Sequence, residues 1–181
     1  MKRVCIFCGS SSNVAGVYNQ AADAMVREIV DRGIGVVYGG AGVGTMKVVA
    51  DAALDAGGQV TGVIPESMTA RELAHPGLTE LHVVESMHAR KALMLELSDA
   101  VIALPGGLGT LDELFETWTW RQLGIHEKPM GMLNVRGYYD GLLAYLDSAA
   151  EIGYVRAAHR DLLIVDHNAG RLLQRMIDAA A

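Results

Sequence analysis

The chain has 181 residues, of which 51% are hydrophobic and 20% are charged, and its formal net charge is −6. This length and hydrophobic content suffice for one buried core, so we expect a single nucleotide-binding domain over residues 1–181. The acidic excess argues against nucleic acid as a partner, because nucleic acid binding favours a basic face. The sequence contains neither an apolar run of about 18 residues nor a signal-peptide pattern, so we expect a cytoplasmic protein that does not bind membranes.

Apolar runs and amphipathic segments alternate along the chain. The apolar runs predict strands over residues 4–8, 34–38, 60–64, 81–84, 100–104, 130–135 and 162–165. The amphipathic segments predict helices over residues 18–31, 44–56, 87–97, 110–123, 138–152 and 169–179. Strands that are apolar throughout, separated by helices, indicate a parallel sheet covered on both faces. The predicted fold class is therefore α/β, a Rossmann-like doubly wound sheet.

Cys5 and Cys8 form a C-x-x-C pattern inside the first predicted strand. A thioredoxin-type redox pair lies at the start of a helix, so we interpret these two residues as buried core thiols. His126-Glu127 is followed by Lys128-Pro129 and lacks the second histidine of a zinc-binding helix. We expect neither a metal site nor a cofactor.

The most informative segment is Pro105-Gly106-Gly107-Leu108-Gly109-Thr110-Leu111-Asp112-Glu113, between the fifth predicted strand and a helix expected to start near Thr110. Its glycines allow backbone N–H groups to approach a ligand closely. The helix N-terminus adds free N–H donors and the positive end of the helix dipole. The pattern is typical of a phosphate-binding loop.

Glu113 allows two interpretations at this point. An acid close to a phosphate site is electrostatically unfavourable, which suggests a catalytic role. However, Thr110-x-x-Glu113 also fits a capping box, in which both side chains bond free N–H groups of the helix. The spacing alone does not separate the two.

Three predicted strands end in small or glycine-rich turns: residues 8–12, 39–45 and 105–110. In a doubly wound sheet these turns lie at one edge, where ligands bind. Neither glycine loop fits the dinucleotide fingerprint G-x-G-x-x-G, and Gly44 is followed by Thr45-Met46 instead of the Lys-Ser/Thr of a Walker A loop. The edge therefore predicts a nucleotide or sugar-phosphate pocket of another kind.

Met87-His88-Ala89-Arg90-Lys91 places two cations at the start of a helix, where they oppose the helix dipole. A solvated basic patch would explain them. Alternatively, Arg90 could offer a planar fork to a phosphate or carboxylate, and Lys91 a point charge.

At these residues the chain resembles the LOG ("Lonely guy") family of cytokinin riboside 5′-monophosphate phosphoribohydrolases, almost from end to end. The combination of Met87-His88-Ala89-Arg90-Lys91 with the motif at residues 105–113 is highly specific for that family. Residues 4–11, 37–40, 62–65 and 119–129 also match it. Ala41 is a departure, since many members carry a third consecutive glycine there.

The resemblance implies hydrolysis of the N-glycosidic bond of an N6-substituted AMP, with release of the free base and ribose 5-phosphate. The family's catalytic pair corresponds to Arg90 and Glu113 in this sequence. Its substrate contacts correspond to Glu72, Arg90, Lys91, Gly106, Gly107, Leu108, Gly109, Thr110, Leu111, Asp112, Glu113 and Thr119. From the loop arrangement, further contacts could come from Gly9, Ser10, Gly39, Gly40 and Gly44.

The expected partners are a nucleoside 5′-monophosphate substrate and a second copy of the chain. The homodimer is implied by the family and agrees with Phe115, Trp118 and Trp120 on one helix, although core packing could also account for these rings. Three other functions compete: a nucleotide-binding protein without hydrolysis, a lysine decarboxylase, as members of the family were long labelled, and a general nucleoside monophosphate hydrolase acting on plain AMP.

Overall fold

The computed structural model describes residues 1–69 and 74–180. Its strands are β1 (Arg3–Phe7), β2 (Gly35–Tyr38), β3 (Val60–Pro65), β4 (Glu80–Val84), β5 (Ala100–Ala103), β6 (Met130–Leu133) and β7 (Leu163–Asp166). Its helices are α1 (Gly16–Asp31), α2 (Gly44–Asp55), α3 (Glu66–Thr69), α4 (Met87–Glu96), α5 (Leu108–Gln122), α6 (Asp140–Ile152), α7 (Ala157–Arg160) and α8 (Ala169–Asp178). A short 3₁₀ turn, Val135–Gly137, precedes α6.

The seven strands form one sheet in the order β4-β3-β2-β1-β5-β6-β7, and every pairing is parallel. The chain builds the sheet outward from β1 to β4, then returns to add β5 on the other side of β1. This reversal is the switch point at which a doubly wound fold binds ligands, at the carboxyl ends of the strands. The predicted doubly wound fold is confirmed.

Side chains of the central strands alternate between two cores, one on each face of the sheet. In β1, Val4 and Ile6 pack on the face covered by α1, α2 and α8, whereas Cys5 and Phe7 pack on the face covered by α4, α5 and α6. Strands buried on both faces read as continuous apolar runs, which is why the sequence located them.

The thiols of Cys5 and Cys8 are free, buried and directed to opposite cores. Burial raises the pKa of both thiols well above the usual value, so neither forms a reactive thiolate readily. Within residues 1–69 and 74–180 there is no cluster of three or more His, Cys, Asp or Glu side chains suited to a metal ion. In the same part of the chain, no helix has the length and apolar character needed to cross a membrane.

Most element boundaries lie within two residues of the predicted ones, and two differences affect the site or its surroundings. Helix α5 begins at Leu108, with Gly107 at its N-cap, and not near Thr110. The short helices α3 and α7, of four residues each, have no counterpart in the prediction, because one helical turn shows no apolar periodicity.

Candidate active site

A cavity of about 740 Å³ opens at the switch point, a volume typical of small-molecule sites. Its polar part is formed by the turns that follow β1 and β5, with Gly9 and Ser10 on one side and residues 105–110 on the other. Arg90 of α4 and Glu113 of α5 also line it. The described structure therefore brings both members of the predicted catalytic pair into one cavity.

The N-terminus of α5 faces this cavity. Residues 105–110 line it, and the N-cap Gly107 has no side chain to bond the first N–H groups of the helix. The amide of Leu111 bonds the Gly107 carbonyl, so the amides before it, up to Thr110, are the free donors of the first turn. Together with the helix dipole they form a cradle for an anion.

Thr110 contributes a hydroxyl to the same place. Its side chain is buried and lines the cavity, and among the described residues its Oγ1 has no hydrogen-bond partner. A Cβ on Gly106 would lie only 2.6 Å from the Cβ of Thr110, so the loop can follow this path only with glycine at position 106. The hydroxyl is available to donate to a ligand in the cradle.

Two tyrosines fix the loop that carries the cradle. The Tyr138 hydroxyl donates to the Gly106 carbonyl at 2.7 Å, and the Tyr139 hydroxyl donates to the Leu104 carbonyl at 2.7 Å. Both carbonyls belong to the segment between β5 and α5. The side-chain bonds replace sheet pairing there and hold the loop in place without occupying its amides.

Glu113 lies one turn into α5, four residues after Gly109, and so projects from the helix face that carries the cradle. Its side chain is buried at 7% exposure. Thr110 is the third helical residue and not the N-cap, and its hydroxyl does not bond a helix amide. The geometry therefore excludes the capping box and leaves Glu113 facing the cavity.

Burial raises the pKa of the Glu113 carboxyl to about 7, although the nearby guanidinium of Arg90 opposes this shift. Asp112 raises the pKa further, Lys91 lowers it and Glu116 raises it. A carboxyl that changes its protonation state near neutral pH inside a cavity is typical of an active site.

Arg90 provides the positive charge that faces Glu113, with 3.8 Å between its Nη2 atom and Oε1 of the carboxylate. The guanidinium is buried and donates from Nε to the Val63 carbonyl and from Nη2 to the Gly39 carbonyl, each at 3.2 Å. These two carbonyls lie at the carboxyl ends of β3 and β2. The arginine is not part of a solvated basic patch.

Lys91 has different surroundings from its neighbour. Its Nζ atom lies 3.0 Å from Asp112 and 2.9 Å from Glu116, two carboxylates on adjacent turns of α5. Burial lowers the pKa of Lys91, but the bonds to Glu116 and Asp112 outweigh this and raise it above the usual value. Lys91 does not line the cavity, and its charge is already paired. Lys91 therefore joins α4 to α5. Its role as a substrate contact, which the resemblance implies, stays a prediction.

The remaining predicted contacts separate into three groups. Gly39, Gly40 and Gly44 lie behind the cavity wall and do not line it. Leu111 and Thr119 line a shallower groove along α5, which shares Leu108 and Asp112 with the main cavity. Glu72 falls outside the described residues, so its predicted role stays a prediction.

The cavity also has an apolar lining that the sequence did not indicate. This lining is formed by Val14, Ala15, Tyr18, Val43, Met46, Met68 and Met87. These residues come from separate loops and helices and have no common spacing in the sequence. Only their positions after the carboxyl ends of β1, β2, β3 and β4, at the ligand-binding edge, could have indicated them.

The chain matches known proteins over most of its length. A family model described as "Possible lysine decarboxylase" matches residues 46–176. The cytokinin riboside 5′-monophosphate phosphoribohydrolase of Rhodococcoides fascians is 54% identical over 165 residues, covering 91% of this chain and 83% of that protein. The Arabidopsis thaliana protein named cytokinin riboside 5′-monophosphate phosphoribohydrolase LOG2 is 46% identical over 173 residues, covering 96% of this chain and 81% of its own length.

Solved structures with the same fold are more distant in sequence. The molybdenum cofactor binding protein of Rippkaea orientalis superposes with a TM-score of 0.76 at 20% identity, covering 100% of this chain and 99% of that one. The molybdenum cofactor carrier protein of Chlamydomonas reinhardtii gives a TM-score of 0.74 at 17% identity, covering 98% and 97%. At these identities the likeness concerns the fold alone.

The raised pKa of Glu113 makes the stability of the folded protein depend on pH. An unfolded glutamate titrates near pH 4, so between about pH 4 and pH 7 the folded state binds more protons, and stability falls as pH rises. We expect Glu113→Gln to gain up to about 3 kcal/mol over the wild type between pH 4 and pH 8. Urea unfolding at pH 5 and pH 8 measures this. The exposed Glu151→Gln is the control, and a Glu113→Gln difference that is independent of pH would contradict the burial effect.

Proposed function

The chain belongs to the LOG family of cytokinin riboside 5′-monophosphate phosphoribohydrolases, and we propose that it hydrolyses the N-glycosidic bond of an N6-substituted AMP. The products are the free base and ribose 5-phosphate. The observation that carries this proposal is a buried carboxylate, Glu113, on the same helix face as an anion cradle and opposite a fixed arginine.

The cradle at residues 106–110 holds the 5′-phosphate. Backbone amides of the first turn of α5 donate to its oxygens, and the Thr110 hydroxyl, which is unpaired among the described residues, adds a further donor. Ser10 lines the facing wall of the cavity. One helical turn separates this cradle from the Glu113 carboxylate, so a ribose bound by its phosphate places its anomeric carbon toward the acid.

Cleavage of the glycosidic bond gives the sugar an oxocarbenium-like charge. The ionised Glu113 carboxylate stabilises this positive charge and accepts a proton from the attacking water. Arg90 keeps the carboxylate oriented and lines the same cavity. The gap of 3.8 Å between the two side chains leaves the carboxylate free to act on the sugar or the water.

The departing base also needs a proton. Asp112 lines the cavity near Glu113, but it is the ion-pair partner of Lys91 and is largely exposed. Solvent reaches the same region of the cavity. We therefore assign the proton to a water molecule.

Lysine decarboxylation, the activity in the description of the matching family model, has less support from the site. That chemistry uses a lysine that forms a Schiff base with pyridoxal phosphate. All four lysines are among the described residues, and none lines the cavity. Lys47 and Lys91 are paired with carboxylates, and Lys128 donates to the Leu95 carbonyl.

A general nucleoside monophosphate hydrolase would have the same polar site. The apolar lining of the cavity favours a base with an apolar N6 substituent, because Met46, Met68 and Val43 offer it contacts that plain adenine would leave unfilled. Flexible methionine side chains adapt to the shape of such a group.

We expect Glu113→Gln to fold and to retain less than about one-hundredth of wild-type kcat, because it removes the charge that the transition state needs. Free base released from N6-isopentenyl-AMP and from AMP, separated by chromatography, measures turnover on both nucleotides. The exposed Glu151→Gln, on α6 and away from the cavity, is the control. Activity close to wild type in Glu113→Gln would remove the proposed catalytic role.

We also propose that the chain forms a homodimer through the open face of α5. This face carries a groove lined by Leu111, Phe115 and Trp120, and it continues into Leu123 and Ile125, which are 66% and 64% exposed. Trp118, by contrast, is buried and donates its Nε1–H to the His159 carbonyl at 2.8 Å. Of the three aromatic rings on this helix, Phe115 and Trp120 are therefore the ones available to a partner.

Static light scattering at micromolar concentration should give twice the chain mass of 19.3 kDa. Ile125→Glu should shift the protein toward the monomer, because it places a charge in an apolar interface. Tyr154→Glu is the control, since Tyr154 is also a large exposed side chain, at 89%, but lies after α6. A wild-type monomer would contradict the dimer.

Two further expectations are part of the same proposal. One sheet contains strands from Arg3 to Asp166, which supports residues 1–181 as a single domain. We also propose, from the sequence, that the protein is cytoplasmic and that it uses no cofactor and binds neither nucleic acid nor membranes.

A further inference from the structure

We propose that Gly39 is a positioning residue for Arg90, and that the second glycine loop provides a recess for this arginine instead of a phosphate contact. The inference rests on the proposed function only for the effect on turnover. Its structural part stands on the contacts around the guanidinium.

The recess exists because position 39 has no side chain. A Cβ built on Gly39 would overlap the Nη2 atom of Arg90 and would lie 2.7 Å from its Cζ atom; it would also lie 2.5 Å from the Cε atom of Met46, the far end of a flexible side chain. The φ angle of Gly39 is not positive, unlike that of Gly40, so backbone conformation does not explain the glycine. The glycine is explained by the space that the guanidinium occupies.

The same segment supplies the acceptors that fix the arginine. Strand β2 ends at Tyr38 while β3 runs on to Pro65, so the ladder between them stops at the pair Tyr38–Gly62. Beyond that pair, the Gly39 and Val63 carbonyls accept from Nη2 and Nε of Arg90. The arginine side chain takes the place of the missing ladder bonds.

This arrangement has a consequence for Glu113. A buried arginine and glutamate would otherwise close into a short, charge-assisted pair, and the carboxylate would lose its freedom to act on a substrate. The two carbonyls hold the guanidinium back, so the separation stays at 3.8 Å. Gly39 thus acts through Arg90 and keeps the catalytic carboxylate available.

Gly39→Ala should displace the guanidinium toward Glu113. We expect kcat to fall by about 100-fold with KM changed less than about threefold, since a shift of about 1 Å in a catalytic group has an effect of this size. The acid limb of the kcat/KM profile should move down by about one pH unit, because the closer cation favours the ionised carboxyl.

Gly131→Ala is the matched control. Its added Cβ would overlap the Sδ atom of Met176 in the core below β6, away from the cavity. Both Gly131→Ala and Gly39→Ala should lower the melting temperature by roughly 3–10 °C, as expected for an overpacked core. Gly131→Ala should leave the acid limb of the kcat/KM profile unchanged.

A double-mutant cycle tests the contact without any substrate. Methionine at position 90 keeps the stem of the side chain but lacks the two guanidinium atoms that a Cβ at position 39 would meet, which leaves only the flexible end of Met46 near that Cβ. In the Arg90→Met background, Gly39→Ala should therefore lower the melting temperature by less than about one-third of its effect in the wild type. Gly131→Ala should have the same effect in both backgrounds.

Equal losses of melting temperature for Gly39→Ala in the two backgrounds, or an acid limb that does not move, would overturn the proposal. The double-mutant cycle of melting temperatures tests the contact between position 39 and Arg90 even if the nucleotide proves not to be the substrate. Failure of the proposed function is therefore distinguishable from failure of this inference.

Discussion

A carboxylate removed from water needs a counter-charge, and this fold supplies one to Glu113 from a different helix. Glu113 comes from α5, which follows β5, and Arg90 comes from α4, which follows β4. These two strands lie on opposite sides of β1 in the sheet. Neither charge would be stable at this depth alone. Because the pair is held apart at 3.8 Å, burial still raises the pKa of Glu113 to about 7.

The two glycine loops contribute to this arrangement in different ways. The loop before α5 uses glycine to expose amides, and Tyr138 and Tyr139 bond its carbonyls so that the amides stay free. The loop after β2 uses glycine to make room for a side chain from another element. Lys91 joins the two helices that carry the pair, α4 and α5, through its ion pairs with Asp112 and Glu116.

Much of this could be predicted from the sequence. Continuous apolar runs located the sheet, and the position of residues 105–113 after a buried strand placed the cradle and Glu113 at its edge. The spacing could not separate catalysis from capping for Glu113, because that depends on whether the helix begins at Leu108 or at Thr110.

Other features depend on distant contacts and leave no local pattern. Adjacent cations in the sequence, Arg90 and Lys91, point to different surroundings because successive helical residues are rotated by about 100°. The apolar lining of the cavity is assembled from single residues such as Met46 and Met68, which no periodicity connects. The recess at Gly39 required knowing which side chain approaches it.

We infer that a phosphate held at the N-terminus of α5 directs the sugar toward Glu113. The most direct measurement compares release of free base from N6-isopentenyladenosine 5′-monophosphate and from the matching nucleoside. This role of the phosphate predicts that its loss lowers kcat/KM by more than about 100-fold and depresses kcat as well as raising KM. Comparable rates for nucleotide and nucleoside would contradict it, because residues 106–110 would then not act as a phosphate cradle.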